Sequence, residues 1–304
     1  MNKILKTFSF VGLLGGILVS SPSCAQTASH SVEAIQKDIA YDDEHSSQRL
    51  DLYRTKSDHP TPAMVFIHGG GWRGGSKAHV PAWLLRLAAE GKMSVVSVEY
   101  RFTDVAPHPA QVDDCLRAIQ FVRQQASKWN IDPKRIGVTG GSAGGHLSAY
   151  VALADDAAKT DSDDPVQTQS SRVQCAISFA GPTDWSLLKT IDHQHPAYRQ
   201  LIGYKPGTPA EQMDAGKMHD VSPISFVTED DPPIMQVHGD ADDIVPIEHA
   251  KNLHQELQSA GVTCELVVIP DANHSVAGAS DQVSQRATAF AQSHLLEKRK
   301  SAEQ

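Results

Sequence analysis

The residues that carry chemistry are Ser142, His274 and an aspartate near position 242. Ser142 stands in Gly140-Gly141-Ser142-Ala143-Gly144, a G-x-S-x-G pattern. The stretch before it, Arg135 to Thr139, predicts a short strand, and Gly145 to Leu153 predicts a helix. A serine between small residues on a strand-to-helix turn is pushed out of the backbone, at the helix end whose dipole favours negative charge. The plainer alternative is a glycine-rich turn; the flanking elements favour a nucleophile. A serine hydroxyl is weak unless a base takes its proton and a carboxylate orients that base. His274, in Asp271-Ala272-Asn273-His274, follows the last predicted strand, and Asp240, Asp242 and Asp243 follow the strand before it. Serine, then acid, then histidine is a chain order that supports acyl transfer.

A second glycine-rich turn, His68-Gly69-Gly70-Gly71-Trp72, ends the apolar run Ala63 to Ile67. Three glycines let backbone come close to a ligand and aim N–H groups at it. An oxyanion hole is the functional reading and a flexible turn the plain one. His68 reads as a brace for that loop, and His146 as a packed side chain. Trp72, Asp184 and Trp185 are the candidates for the substrate pocket, with core packing and a loop cap as alternatives. His193 and His195 alternate in a loop without cysteine or acid spacing, so no metal is expected, nor any cofactor.

The elements that must position these groups alternate in type. Residues 37–41 and 48–53 predict an antiparallel hairpin at a sheet edge. Strands are expected at 63–67, 94–100, 135–139, 173–179, 233–237 and 264–269. Helices are expected at 82–90, 111–128, after Ser142, at 247–260 and at 282–296. Residues 155–172 read as an acidic surface loop, and 185–231 as a lid-like insertion. Alternating strands and helices imply a mostly parallel sheet with helices on both faces, whose ligands bind beyond the carboxyl ends of the strands. His68, Ser142, Asp184, Asp242 and His274 all follow predicted strand ends.

At 304 residues the chain suits a single α/β catalytic domain, placed at 37–298. Its net charge of −9 argues against nucleic acid and anionic membranes as partners. Lys3 and Lys6, the apolar run Phe8 to Val19 and Ser23-Cys24-Ala25 read as a signal peptide over 1–25, with a flexible segment at 26–36. Cys24 raises the alternative of a lipid anchor, but Ser21 stands where such signals place leucine, so simple export is preferred. The remaining Cys115, Cys175 and Cys264 are an odd set in apolar segments, which reads as buried free thiols rather than a disulfide framework.

With these motifs in order, the chain resembles the α/β-hydrolase superfamily over about residues 37–296. Within it, the resemblance is to the esterase/lipase group carrying HGGGW and GxSAGG, which includes hormone-sensitive-lipase-like and bacterial acetyl- or feruloyl-esterase-like enzymes. The resemblance implies Ser142 as nucleophile and His274 as base. It implies Asp242 as the acid, because His238 to Pro246 matches HGxxDxxVP. It places the oxyanion hole at the backbone N–H groups of Gly70, Gly71 and Ala143. The activity so implied is hydrolysis of short-chain or aromatic acyl esters, free or on carbohydrate, through an acyl-enzyme. An amidase or formamidase would share the same three residues, and an inactive hydrolase-fold binding module is the reading from another class.

Overall fold

The computed structural model describes residues 34–191, 195–276 and 281–296. The continuous apolar runs become the centre of one sheet. Strands β3 (Thr61–Ile67) and β4 (Ser94–Val98) are buried at every position, which only a strand covered on both faces can be. Around them lie β1 (Ala34–Ala40), β2 (Arg49–Arg54), β5 (Ile131–Gly141), β6 (Ala176–Phe179), β7 (Ile234–Gly239) and β8 (Cys264–Ile269). The order across the sheet is β1-β2-β4-β3-β5-β6-β7-β8. The two pairings made by β2 are antiparallel and the others parallel. This is the α/β-hydrolase fold.

Two cores cover the sheet. On one face, α1 (Ala82–Ala89) and α8 (Asp281–Leu295) pack through Trp83, Leu84, Leu87, Phe290 and Leu295. On the other lie α2 (Ala110–Gln124), α3 (Ala126–Trp129), α4 (Ala143–Leu153) and α7 (Glu248–Ser259). Every residue of α4 is buried, because the sheet lies beneath it and the insertion above. The insertion is built of short turns, including α5 (Pro196–Leu201) and α6 (Ala215–Asp220). It contributes Trp185, Tyr198, Leu201, Met218 and Val221 to this core, so its described part is a packed cap.

Several boundaries differ from expectation. The hairpin strand starts at Ala34 rather than 37, because Ala34, Ile35 and Gln36 pair with β2. Ladder hydrogen bonds come from backbone, so the polar sequence there gave no warning. The expected helix 111–128 is divided at Gln125, and Asn130 in the left-handed conformation ends its second piece. The elbow strand begins at Ile131, where Thr61 pairs across. Cys115, Cys175 and Cys264 are free thiols; Cys264 is half-buried rather than buried, on a strand separated from β6 by β7.

Candidate active site

Ser142 joins β5 to α4 with φ 56° and ψ −121°, a conformation L-residues rarely hold. The turn is possible because Gly140 and Gly144, which lie against β3, lack side chains. A Cβ on Gly144 would sit 2.0 Å from the carbonyl oxygen of Ile67 on β3. Ser142 N–H donates to Phe179 O at 2.8 Å, tying the elbow to β6. The hydroxyl stands beyond the carboxyl end of the sheet.

His274 and Asp242 reach it from the loops after β8 and β7. His274 Nε2 lies 2.8 Å from Ser142 Oγ, and its Nδ1 lies 2.8 Å from Asp242 Oδ2. Asp242 has no exposed side-chain surface. Its Oδ1 accepts the N–H groups of Ile244 and Val245, each at 2.9 Å. Burial disfavours the carboxylate, yet hydrogen bonds from His238, His274 and the Val245 N–H outweigh it and hold Asp242 well below the usual carboxylate range. Asp240 is exposed and accepts the Asp271 N–H, while Asp243 points to solvent, so neither is in the relay. His238 is a group the sequence reading left without a role. Its Nε2 lies 2.8 Å from Val245 O, which can only accept, so that nitrogen donates, and Asp242 Oδ2 lies 3.4 Å away. Its place at the head of the HGDADD stretch was the available signal.

The glycine loop lies against the elbow, with the Cβ position of Gly69 only 3.4 Å from Ser142 Cβ. Gly70 and Gly71 have φ of 118° and 61°, open to glycine and strained for other residues. His68 is a brace: Nε2 meets Glu99 Oε1 at 2.6 Å, and Tyr100 Oη donates to its carbonyl. Glu99 also accepts the Lys77 N–H, so one carboxylate ties both ends of the loop. Ala143 opens α4, where first-turn N–H groups have no partner within the helix. Among the described residues the N–H groups of Gly70, Gly71 and Ala143 serve no other hydrogen bond.

A cavity of about 270 Å³ opens at Ser142 and His274, with Phe66, Pro81, Trp83 and Phe179 as its apolar walls. The expected pocket residues are elsewhere. Trp72 is 2% exposed and Trp185 fully buried, so neither meets substrate. Trp72 Nε1 donates to His146 Nδ1, and His146 Nε2 donates to Val221 O, pinning the glycine loop and cap to α4. Burial keeps His146 neutral by pulling its pKa down to about 3. Asp184 caps the turn at Trp185 through Ser186 and accepts from Asn252. Strand-end position was the usable signal for Phe66 and Phe179; Trp83, inside α1, offered none.

His195 caps α5 by accepting the Ala197 N–H, and His193 lies outside the described residues. Among the described residues no group of three His, Cys, Asp or Glu side chains could hold a metal, and no helix is long and apolar enough to cross a membrane.

A family model described as BD-FAE matches residues 50–257, and one described as the dienelactone hydrolase family matches residues 216–299. Esterase LipC of Mycobacterium tuberculosis is 31% identical over 73% of this chain and 54% of its own length. The chain thus spans about half the length of the curated relatives it matches. Among solved structures, a truncated carbohydrate esterase from gut microbiota superposes with a TM-score of 0.77 at 28% identity, over 88% of this chain and 98% of that one. Esterase 2 of Thermogutta terrifontis, phosphonylated by sarin, gives a TM-score of 0.70 at 26% identity, over 88% and 98%.

Proposed function

The chain belongs to the BD-FAE family, and on that footing we propose that it is a serine carboxylic-ester hydrolase acting through an acyl-enzyme. The observation that carries the reading is the continuous relay from Ser142 Oγ through His274 to buried Asp242, at the mouth of the apolar cavity. His274 Nε2 takes the hydroxyl proton as Ser142 Oγ attacks the ester carbonyl. Asp242 fixes the proton-bearing Nδ1 and stabilises the imidazolium. The N–H groups of Gly70, Gly71 and Ala143 receive the developing oxyanion, and three such donors held by rigid backbone need no reorganisation. His274 then protonates the leaving alcohol. A water activated by the same nitrogen releases the acid.

The cavity volume supports a short acyl chain or one aromatic ring. The carbohydrate esterase among the structural relatives supports a sugar-linked alcohol. Lys3, Lys6 and the apolar run that follows support export, with cleavage after Ala25 rather than lipidation of Cys24.

An organophosphonate ester probe, followed by peptide mass spectrometry, tests the mechanism. The expected adduct is on Ser142, with loss of 4-nitrophenyl acetate hydrolysis in proportion. Full labelling at another residue, or an unlabelled and inactive folded protein, contradicts it. Mass analysis of protein recovered from outside the cytoplasm should find Gln26 as the first residue.

A further inference from the structure

We propose that Arg73 is a specificity-determining residue that receives a carboxylate on the alcohol half of the ester, so that acyl esters of acidic sugars are the favoured substrates. This rests on the esterase reading above. Arg73 directly follows the buried anchor Trp72, and its N–H closes a turn onto Gly70 O at 3.2 Å. The turn sends the side chain back over the loop, with Nε 3.7 Å from where a Cβ on Gly71 would stand. The guanidinium therefore lies beside a glycine assigned to the oxyanion hole. The residue is exposed.

Its pairing differs from that of five other cations, though Arg49 and Arg123 also lack a carboxylate and donate to backbone carbonyls. Arg101, Arg117, Arg135, Arg172 and Lys77 each face a carboxylate. Arg73 instead donates from Nη1 to the neutral amide of Gln200, Oε1 at 3.1 Å, and among the described residues it has no acidic partner. In a chain of 36 acids and 27 lysines and arginines, a cation left without an acid at the site mouth points to a ligand's anion. His195 helps to locate it. Burial disfavours protonation of His195, which caps α5, and the neighbouring Arg73 charge disfavours it further, so Arg73 lies on the cap side of the site.

The two sides of Ser142 also differ. Phe66, Trp83 and Phe179, which wall the cavity, belong to the α1–α8 core, whereas Trp72 and Ala197, which flank Arg73 and Gly71, belong to the cap core on the other face of the sheet. An acyl group in the cavity leaves the alcohol facing the guanidinium. A planar guanidinium fork matches a carboxylate in two hydrogen bonds, which an ammonium does not.

The test compares acetylated methyl glucuronoside with acetylated methyl glucoside, which differ by carboxylate against hydroxymethyl, with 4-nitrophenyl acetate as reference. The wild-type enzyme should favour the glucuronoside. Arg73→Gln should lower the kcat/KM ratio of the acidic to the neutral sugar by about five- to tenfold, mainly through KM. Arg73→Lys should recover part of that ratio, and Arg73→Glu should invert it. Raising salt from about 0.05 to 0.5 M should narrow the wild-type preference, since an exposed pair is screened. A ratio unmoved by all three variants, or cleavage of neither sugar while 4-nitrophenyl acetate is hydrolysed, overturns the assignment and leaves the esterase reading standing. Failure on 4-nitrophenyl acetate overturns both.

Discussion

Asp242→Asn is the substitution whose effect can be worked through atom by atom. The new amide can sit two ways. With its oxygen toward the backbone it keeps both bonds to Ile244 and Val245, and its NH₂ faces His274 Nδ1 and the donating Nε2 of His238. The NH₂ can then bond His274 only if Nδ1 is bare, which moves the ring proton to Nε2, where Ser142 needs an acceptor. Turned over, the amide keeps the useful tautomer but sets its NH₂ against two backbone N–H groups at 2.9 Å. Two buried donors without partners cost about 2–4 kcal/mol, so the competent orientation holds roughly one molecule in 30 to one in 1,000. Losing the charge that stabilises the imidazolium removes about another ten- to hundredfold. The expected loss in kcat/KM is therefore about 3 × 10²- to 10⁵-fold. The assay is 4-nitrophenyl acetate hydrolysis by protein whose near-UV circular dichroism matches wild type, with Asp240→Asn and Asp243→Asn alongside. Both controls should stay within about threefold, since one side chain only caps the Asp271 N–H and the other is in water. A loss under tenfold for Asp242→Asn, or a larger loss for Asp243→Asn, refutes the reasoning.

Other perturbations bear on the same structure. Ser142→Ala should cost at least ~10³-fold in kcat, and Ser142→Gly should unfold at higher denaturant than Ser142→Ala by about 1 kcal/mol, because only glycine accepts φ 56° and ψ −121° without strain; equal midpoints count against strain at the elbow. Trp83→Leu, by removing an apolar wall of the cavity, should raise octanoyl over acetyl ester turnover by about tenfold or more; an unchanged chain-length profile places the acyl group elsewhere. His146, neutral in the fold down to about pH 3, gains a proton on unfolding below its ordinary 6.5, so its burial contributes full stability above pH 6.5. Between pH 6 and 4 that contribution falls by about 1.4 kcal/mol per pH unit. Guanidinium titrations should show this slope in wild type and not in His146→Phe, itself destabilised because the Trp72 indole N–H and Val221 O lose their partner; equal slopes contradict the assigned protonation.

The sequence was most legible where chemistry and backbone constraint coincide. G-x-S-x-G needs small neighbours because Gly144 packs on the carbonyl of Ile67, so the elbow is written in residue types. The strand-end rule gathered Ser142, Asp242 and His274, because a parallel sheet brings all its carboxyl ends to one edge. It failed for Asp184 because following a strand does not decide whether a side chain turns to the site or back onto its own turn, as this one does. Trp72 and Trp185 were ambiguous for a related reason. A tryptophan beside an active loop can line a pocket or anchor the loop, and only His146, four residues beyond the nucleophile, decides between them. The cap was illegible as structure because its helices are a turn or two long, too short for a hydrophobic period.

The relay between Ser142 and His274 joins residues 132 positions apart, and His274 hangs from β8, the edge strand and the last in the chain. During synthesis the nucleophile leaves the ribosome with its elbow helix long before its base exists. Until β8 adds itself alongside β7, Ser142 is an ordinary alcohol, however complete the rest of the sheet. On the proposed mechanism, catalytic competence is thus acquired late and at one stroke, which makes reactivity at Ser142 a clock for the final strand. By that same proposed mechanism, an incomplete or unravelled chain is chemically silent toward the cell that makes it.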